Sequence, residues 1–215
     1  MQKRLNWLDF LKGLAIIAVV IDHSFGVLYK NILIQQHTSF SVALFIFLAG
    51  ITASITLSHH NIFSFYKKRL ISIIIPYIIA TFIISLITQK HFFPSLINFN
   101  ASGPFYFLAF FLQLLLIAPF LSKLNYYFLP LIFVSSFLLN RFHFTNLWGG
   151  GEFLFGGSFL FLFYLGIIFY KNISFFKPRF LYSIISCFIL IFLEIFNLIP
   201  ATWHNPPYLL TMFYT

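Results

Sequence analysis

The apolar residues of this chain arrive in blocks close to twenty long, separated by short polar and basic stretches. That spacing constrains the fold more than any other feature. A helix rises about 1.5 Å per residue, so about 20 apolar residues match a hydrocarbon core roughly 30 Å thick. Composition agrees: 60% of the residues are hydrophobic and 8% are charged, against about 25% charged in an ordinary soluble domain. The chain therefore reads as all-α, a polytopic transmembrane helix bundle forming a single membrane-embedded domain over residues 1–215. Seven spans are expected, with boundaries near Gly13–Leu28, Phe40–Leu57, Leu70–Thr88, Pro104–Leu121, Tyr126–Leu139, Phe153–Tyr170 and Phe180–Ile199. An incomplete eighth begins near Pro207. Pro76, Pro119 and Pro130 fall inside these spans, where neighbouring helices can satisfy the freed carbonyls.

The basic residues set an expected orientation. With the N-terminus in the cytoplasm, Lys3, Arg4, Lys12, Lys67, Lys68, Arg69, Lys123, Lys171, Lys177 and Arg179 fall inside, and Lys30, Lys90 and Arg141 outside. Ten against three follows the positive-inside rule. The net charge of +9 is thus a topology signal rather than a nucleic-acid footprint, and no nucleic acid is expected as a partner. Tyr29, Tyr126, Trp148 and Tyr170 stand near block ends, as an interfacial aromatic belt requires. The single Cys187 excludes an intramolecular disulfide. The first apolar run is longer than a signal-peptide core, and no small-residue cleavage site follows it.

One face of the first span carries two ionisable residues. Lys12 and His23 are eleven positions apart, which is roughly 20° past a whole number of turns and about 16 Å along the axis. A cation at the membrane surface and an imidazole deep in the core would share that face. Ionisable groups inside a membrane are costly and are functional candidates by default, although a histidine can equally act as a neutral interhelical hydrogen-bonder. Asp22 lies about 100° round the helix from His23. The residues alone leave catalysis, proton-coupled transport through Asp22, His23 and Glu194, and structural bonding all open.

The stretch "RLNWLDFLKGLAIIAVVIDHS" resembles the opening of the acyltransferase-3 family of bacterial membrane acyltransferases. Arg4, Asp9, Lys12, Gly13 and His23 occupy the places of that family's opening motif. "VALFIFLAGITASI" is similar to its second span, with Ala49 in place of a serine before Gly50. "FYKKRLISIIIPY" resembles its basic third-span entry, keeping Arg69 but carrying Ser72 where a second arginine is common. "GPFYFLAFFLQLLLIAPFL", with Tyr106 in place of a tryptophan, and "FLFYLGIIF", with Gly166, resemble later spans. The family has more spans than these residues supply, so a short or C-terminally truncated member is expected, and an inactive fragment is a further reading.

The resemblance implies O-acyl transfer from acyl-CoA, with acetyl-CoA the first choice, to a hydroxyl of a cell-surface glycan or related acceptor in the bacterial inner membrane. Acyl-CoA enters as co-substrate, and no resident cofactor or metal is implied. A sugar hydroxyl needs a base within hydrogen-bond reach, and histidine is the side chain whose ordinary titration range straddles neutrality. His23 is the expected catalytic base. Donor phosphates need cations, and Lys12, Arg69 and Lys68 are the expected donor-binding residues. Glu152, after a run of glycines on the outer side, is a candidate on the acceptor side. His37, His59, His60, His91, His143 and His204 are scattered and lack zinc-ligand spacing. No glycine-rich phosphate loop and no nucleophile elbow is present.

Overall fold

A computed structural model describes residues 5–24, 28, 30, 41–102, 105–141, 157 and 159–173. All regular secondary structure among these residues is helical. In chain order the helices are α1 (Asn6–His23), α2 (Ser41–His59), α3 (Ile62–Thr88), α4 (Phe92–Ile97), α5 (Tyr106–Leu121), a 3₁₀ turn (Tyr126–Phe128), α6 (Leu129–Arg141) and α7 (Phe159–Lys171). Two of them, α2 and α3, are long and apolar enough to cross a membrane. The apolar helices at 107–121, 126–139 and 159–171 are shorter. α1 has 18 residues but carries Asp9, Lys12 and Asp22 among them. The expected seventh span and the start of the eighth lie outside the described residues, as does the first part of the sixth.

Local chemistry explains where the helices depart from the apolar runs. α3 starts eight positions before the run at Leu70, because the Asn61 side chain accepts the Ser64 amide and caps the helix there. The basic "YKKR" segment is thereby wound into the helix. α1 also starts ahead of its apolar run and takes in Lys12, here without a side-chain cap at Leu5. Pro130 is the second residue of α6, where a missing amide costs no helical hydrogen bond; it starts a helix rather than interrupting one. α4 was not foreseen. It sits between α3 and α5, and the chain around it includes Gln89 and Phe99 at positive φ, 54° and 52°. The Phe99 ring stacks on Tyr77 at 4.8 Å and 12°, and the Tyr77 hydroxyl donates to the Leu96 carbonyl at 2.6 Å.

The core lies where α2, α5 and α7 meet. Ile46, Leu114, Phe163, Tyr164 and Ile167 are fully buried there. α2 and α7 touch backbone to backbone. A Cβ placed on Gly50 would lie 2.0 Å from the Phe163 carbonyl oxygen, and one on Gly166 would lie 2.1 Å from that of Phe47. Small residues at such a crossing let two helices approach closely. α3 is more peripheral than α2: 17% of its most apolar stretch is buried, against 56% for α2.

Side-chain contacts fix the relative directions. α5 runs antiparallel to α3, since Tyr66 meets Leu116 and Tyr77 meets Phe105. α5 runs parallel to α7, since Phe110 stacks on Phe159 and Lys171 reaches the Ser122 carbonyl. The start of α1, the end of α2, the start of α3 and the ends of α5 and α7 therefore gather at one end of the bundle. Lys12, Lys67, Lys68, Arg69, Lys123 and Lys171 all lie toward it. Among the described residues Asp9 is the only carboxylate at that end.

A two-cation cleft between α1, α2, α3 and α5

Lys12 on α1 and Arg69 on α3 face one cleft of about 240 Å³. They are 57 positions apart in sequence and reach the cleft from different helices. Its mouth is polar, with Lys12, Arg69, Thr52 and Ser72. The rest of its lining is apolar and includes Ile16, Ala49, Phe45 and Phe111. Thr52 and Phe45 are seven positions apart on α2, about 10 Å along the axis. At the deep end Phe45 packs edge-on against Phe107 at 5.4 Å and Phe111 at 5.8 Å. Phe107 and Phe111 stack on each other at 5.4 Å, so the floor is aromatic.

The antiparallel pair α2–α3 aims Arg69. Positions equally far from the turn at residues 60 and 61 face each other, and Arg69 lies opposite Thr52. Arg69 Nη2 donates to Thr56 Oγ1 at 2.9 Å and to the Thr52 carbonyl at 3.3 Å. Thr52 and Thr56 turn their own hydroxyl hydrogens back to the Leu48 and Thr52 carbonyls at 2.7 and 2.8 Å. The Thr56 hydroxyl therefore presents an oxygen lone pair to the guanidinium, and Thr52 meets it through its backbone carbonyl. Arg69 Nε is buried and finds no acceptor among the described residues, which use the donor capacity of the guanidinium only in part.

The charges in the cleft are unbalanced. Lys12 feels the repulsion of Arg69 and the opposing attraction of Asp9. Among the described residues, two partly buried cations with one nearby carboxylate leave a net positive mouth, which an anion would neutralise. Backbone chemistry adds acceptors. Pro76 and Pro119 have no amide hydrogen, so the carbonyls four positions earlier lose their helical partner. Those carbonyls belong to Ser72 and Leu115, and both residues line the cleft. The arrangement suits an elongated ligand with an anionic head at the mouth, hydrogen-bond donors behind it and an apolar tail.

The remaining expected site residues fall elsewhere. His23 ends α1 and is exposed among the described residues. It does not line the cleft. Helical periodicity nevertheless places Lys12, Ile16, Val19 and His23 within about 60° of one another on α1, and the first two line the cleft wall. Lys68 also points away from the cleft, into a second groove on the other side of α3 with Ser64 and Lys67. Ser72 borders both. Glu152 and Glu194 lie outside the described residues.

Thr52, Thr56 and the aromatic floor were not anticipated as site residues. The threonines had a readable signal: two hydroxyls one helical turn apart, opposite the basic cluster across a tight turn. The phenylalanines had none, in a chain with 34 of them.

The sequence pattern of one family, described as an acyltransferase domain, matches residues 5–215. No curated protein matches the chain, and no solved structure does. The match takes in every helix of the bundle, the two-cation cleft and His23, and the chain accordingly belongs to the acyltransferase-3 family, as an enzyme that transfers acyl groups other than amino-acyl groups.

Proposed function

We propose that the chain transfers an acyl group, acetyl in the first instance, from acyl-CoA to a hydroxyl of a cell-surface glycan or related acceptor. The observation that carries this reading is the meeting of Lys12 and Arg69 in one cleft whose polar mouth leads to an apolar interior. The donor diphosphate lies between the two cations, and its arm runs inward along the Lys12–Ile16–Val19–His23 stripe. The axial distance of about 16 Å from Lys12 to His23 is comparable to an extended pantetheine arm. His23 takes the proton of the acceptor hydroxyl. The hydroxyl oxygen attacks the thioester carbonyl, the carbon–sulfur bond breaks, and the proton passes to the departing CoA thiolate. The enzyme sits in the bacterial inner membrane with the basic end of the bundle in the cytoplasm, and Glu152 stands on the acceptor side.

The test is transfer of label from acetyl-CoA to a glycan by the purified chain in nanodiscs. Wild type transfers label. His23→Ala loses at least about 100-fold in rate, the lower end of what general acid–base catalysis supplies, while remaining folded. Lys12→Ala and Arg69→Ala raise KM for the donor. A His23→Ala protein with full activity sinks the base assignment. Absence of transfer by the wild type to any glycan acceptor sinks the reaction itself.

A further inference from the structure

The groove on the outer side of α3 matches a lipid more closely than a soluble ligand. It measures about 340 Å³ and is lined by Ser64, Lys67, Lys68, Ile71 and Ser72. Neither lysine has a hydrogen-bond or ion-pair partner among the described residues, both are exposed, and no carboxylate lines the groove. Helical steps of three and four continue the line from Lys68 through Ile71, Ile75 and Ile78 to Phe82, and all four of these apolar side chains are exposed. Lys68 and Ile78 are ten positions apart, about 15 Å along the axis. That is one leaflet of a core roughly 30 Å thick. A pair of unneutralised ammonium groups thus stands at the head of a one-leaflet-long apolar strip, on a helix that is far less covered than α2.

We propose that this groove is a binding site for an anionic phospholipid, whose phosphate sits on Lys67 and Lys68 beside the Ser64 hydroxyl and whose acyl chain lies along Ile71, Ile75 and Ile78. Charge complementarity selects an anionic headgroup, since a zwitterionic one carries its own cation to the lysines. The strip selects a lipid over a free phosphate, which gains nothing from Ile75 or Ile78. The site is separate from the two-cation cleft and shares only Ser72 with it.

Native mass spectrometry of the full chain, released from micelles doped with phosphatidylglycerol or phosphatidylcholine, tests the assignment. Wild type retains phosphatidylglycerol and not phosphatidylcholine, and glycerol phosphate at the same concentration does not displace it. The double variant Lys67→Gln/Lys68→Gln weakens retention about 30-fold, the product of two surface charges near an anionic lipid. Ile75→Ser weakens it with both lysines present. Thermal unfolding checks that each variant is folded. Equal retention of phosphatidylcholine, displacement by glycerol phosphate, or undiminished retention by the double variant overturns the proposal. So does a double variant that keeps its lipid and instead raises KM for acyl-CoA, which would assign the lysines to the donor.

Discussion

Replacing Gly50 with alanine drives a methyl group into a backbone rather than into a side chain. The new Cβ would stand 2.0 Å from the Phe163 carbonyl oxygen and 3.2 Å from the Ile167 amide nitrogen. Contacts under 3.0 Å are essentially never seen for a real Cβ, so α2 and α7 must part by at least 1.0 Å. Overpacking a core costs about 1–3 kcal/mol, and the upper end applies because a helix backbone cannot turn aside as a side chain can. Against this stands the helix propensity of alanine over glycine, about 1 kcal/mol. The net expectation is a loss of about 2 kcal/mol, or roughly 4–8 °C in thermal unfolding for a chain of this size. Gly166→Ala meets the Phe47 carbonyl at 2.1 Å and is expected to cost the same. The double variant should cost less than the sum, since one separation relieves both clashes. Gly13→Ala is the control. No atom of the described residues lies within 4 Å of its Cβ, so only the propensity gain remains and the protein should be stabilised by about 1 kcal/mol. The assay is unfolding of purified protein in one detergent, followed by size-exclusion chromatography. If Gly50→Ala and Gly166→Ala unfold with the wild type, or if Gly13→Ala is as damaging as they are, the backbone contact is not what holds α2 to α7.

Three further outcomes follow from other contacts. Thr56→Val removes an acceptor of the Arg69 guanidinium, and a hydrogen bond to a charged group is worth about 1.5–3 kcal/mol. Donor KM in the labelled-acetyl assay should rise by about tenfold or more, and an unchanged KM would detach Arg69 from donor binding. Tyr77→Phe keeps the stack on Phe99 but leaves the Leu96 carbonyl without its 2.6 Å donor. It should lower stability by about 1–2 kcal/mol, read by thermal unfolding. Asn61→Ala should cost about 1 kcal/mol and Asn61→Ser almost nothing, because the serine oxygen can still accept the Ser64 amide. Equal losses from both would show that the cap is not what starts α3.

Much of the bundle was legible because its signals are periodic or polar. The runs around α2, α3 and α5 are long stretches without a charged residue, and the helices form there. Lys12 and Arg69 can be paired from the sequence because a basic residue at the end of an apolar run has few places to be. Lys68 could not be separated from Arg69 in this way. The two are adjacent in sequence and about 100° apart on the helix, and only the packing of α2 decides which of them faces inward. The helix starts were misjudged wherever a capping residue outweighs hydropathy, as Asn61 does. α4 was missed because six residues give no period to read. The aromatic floor was invisible because a phenylalanine at helical spacing looks the same whether it meets lipid, core or cleft.

The glycine contact between α2 and α7 has a mechanical consequence. Two helices pressed backbone to backbone form a fixed post, since neither can roll or slide without a collision. The cleft is built against that post, with α2 as its rigid jamb. Its opposite wall is α3, a helix that leans on the bundle through few neighbours and is wound around a proline at position 76. Any widening of the cleft therefore falls to the walls that lack such a contact, α3 with Arg69 and α1 with Lys12, while the threonines that hold Arg69 stay on the fixed side.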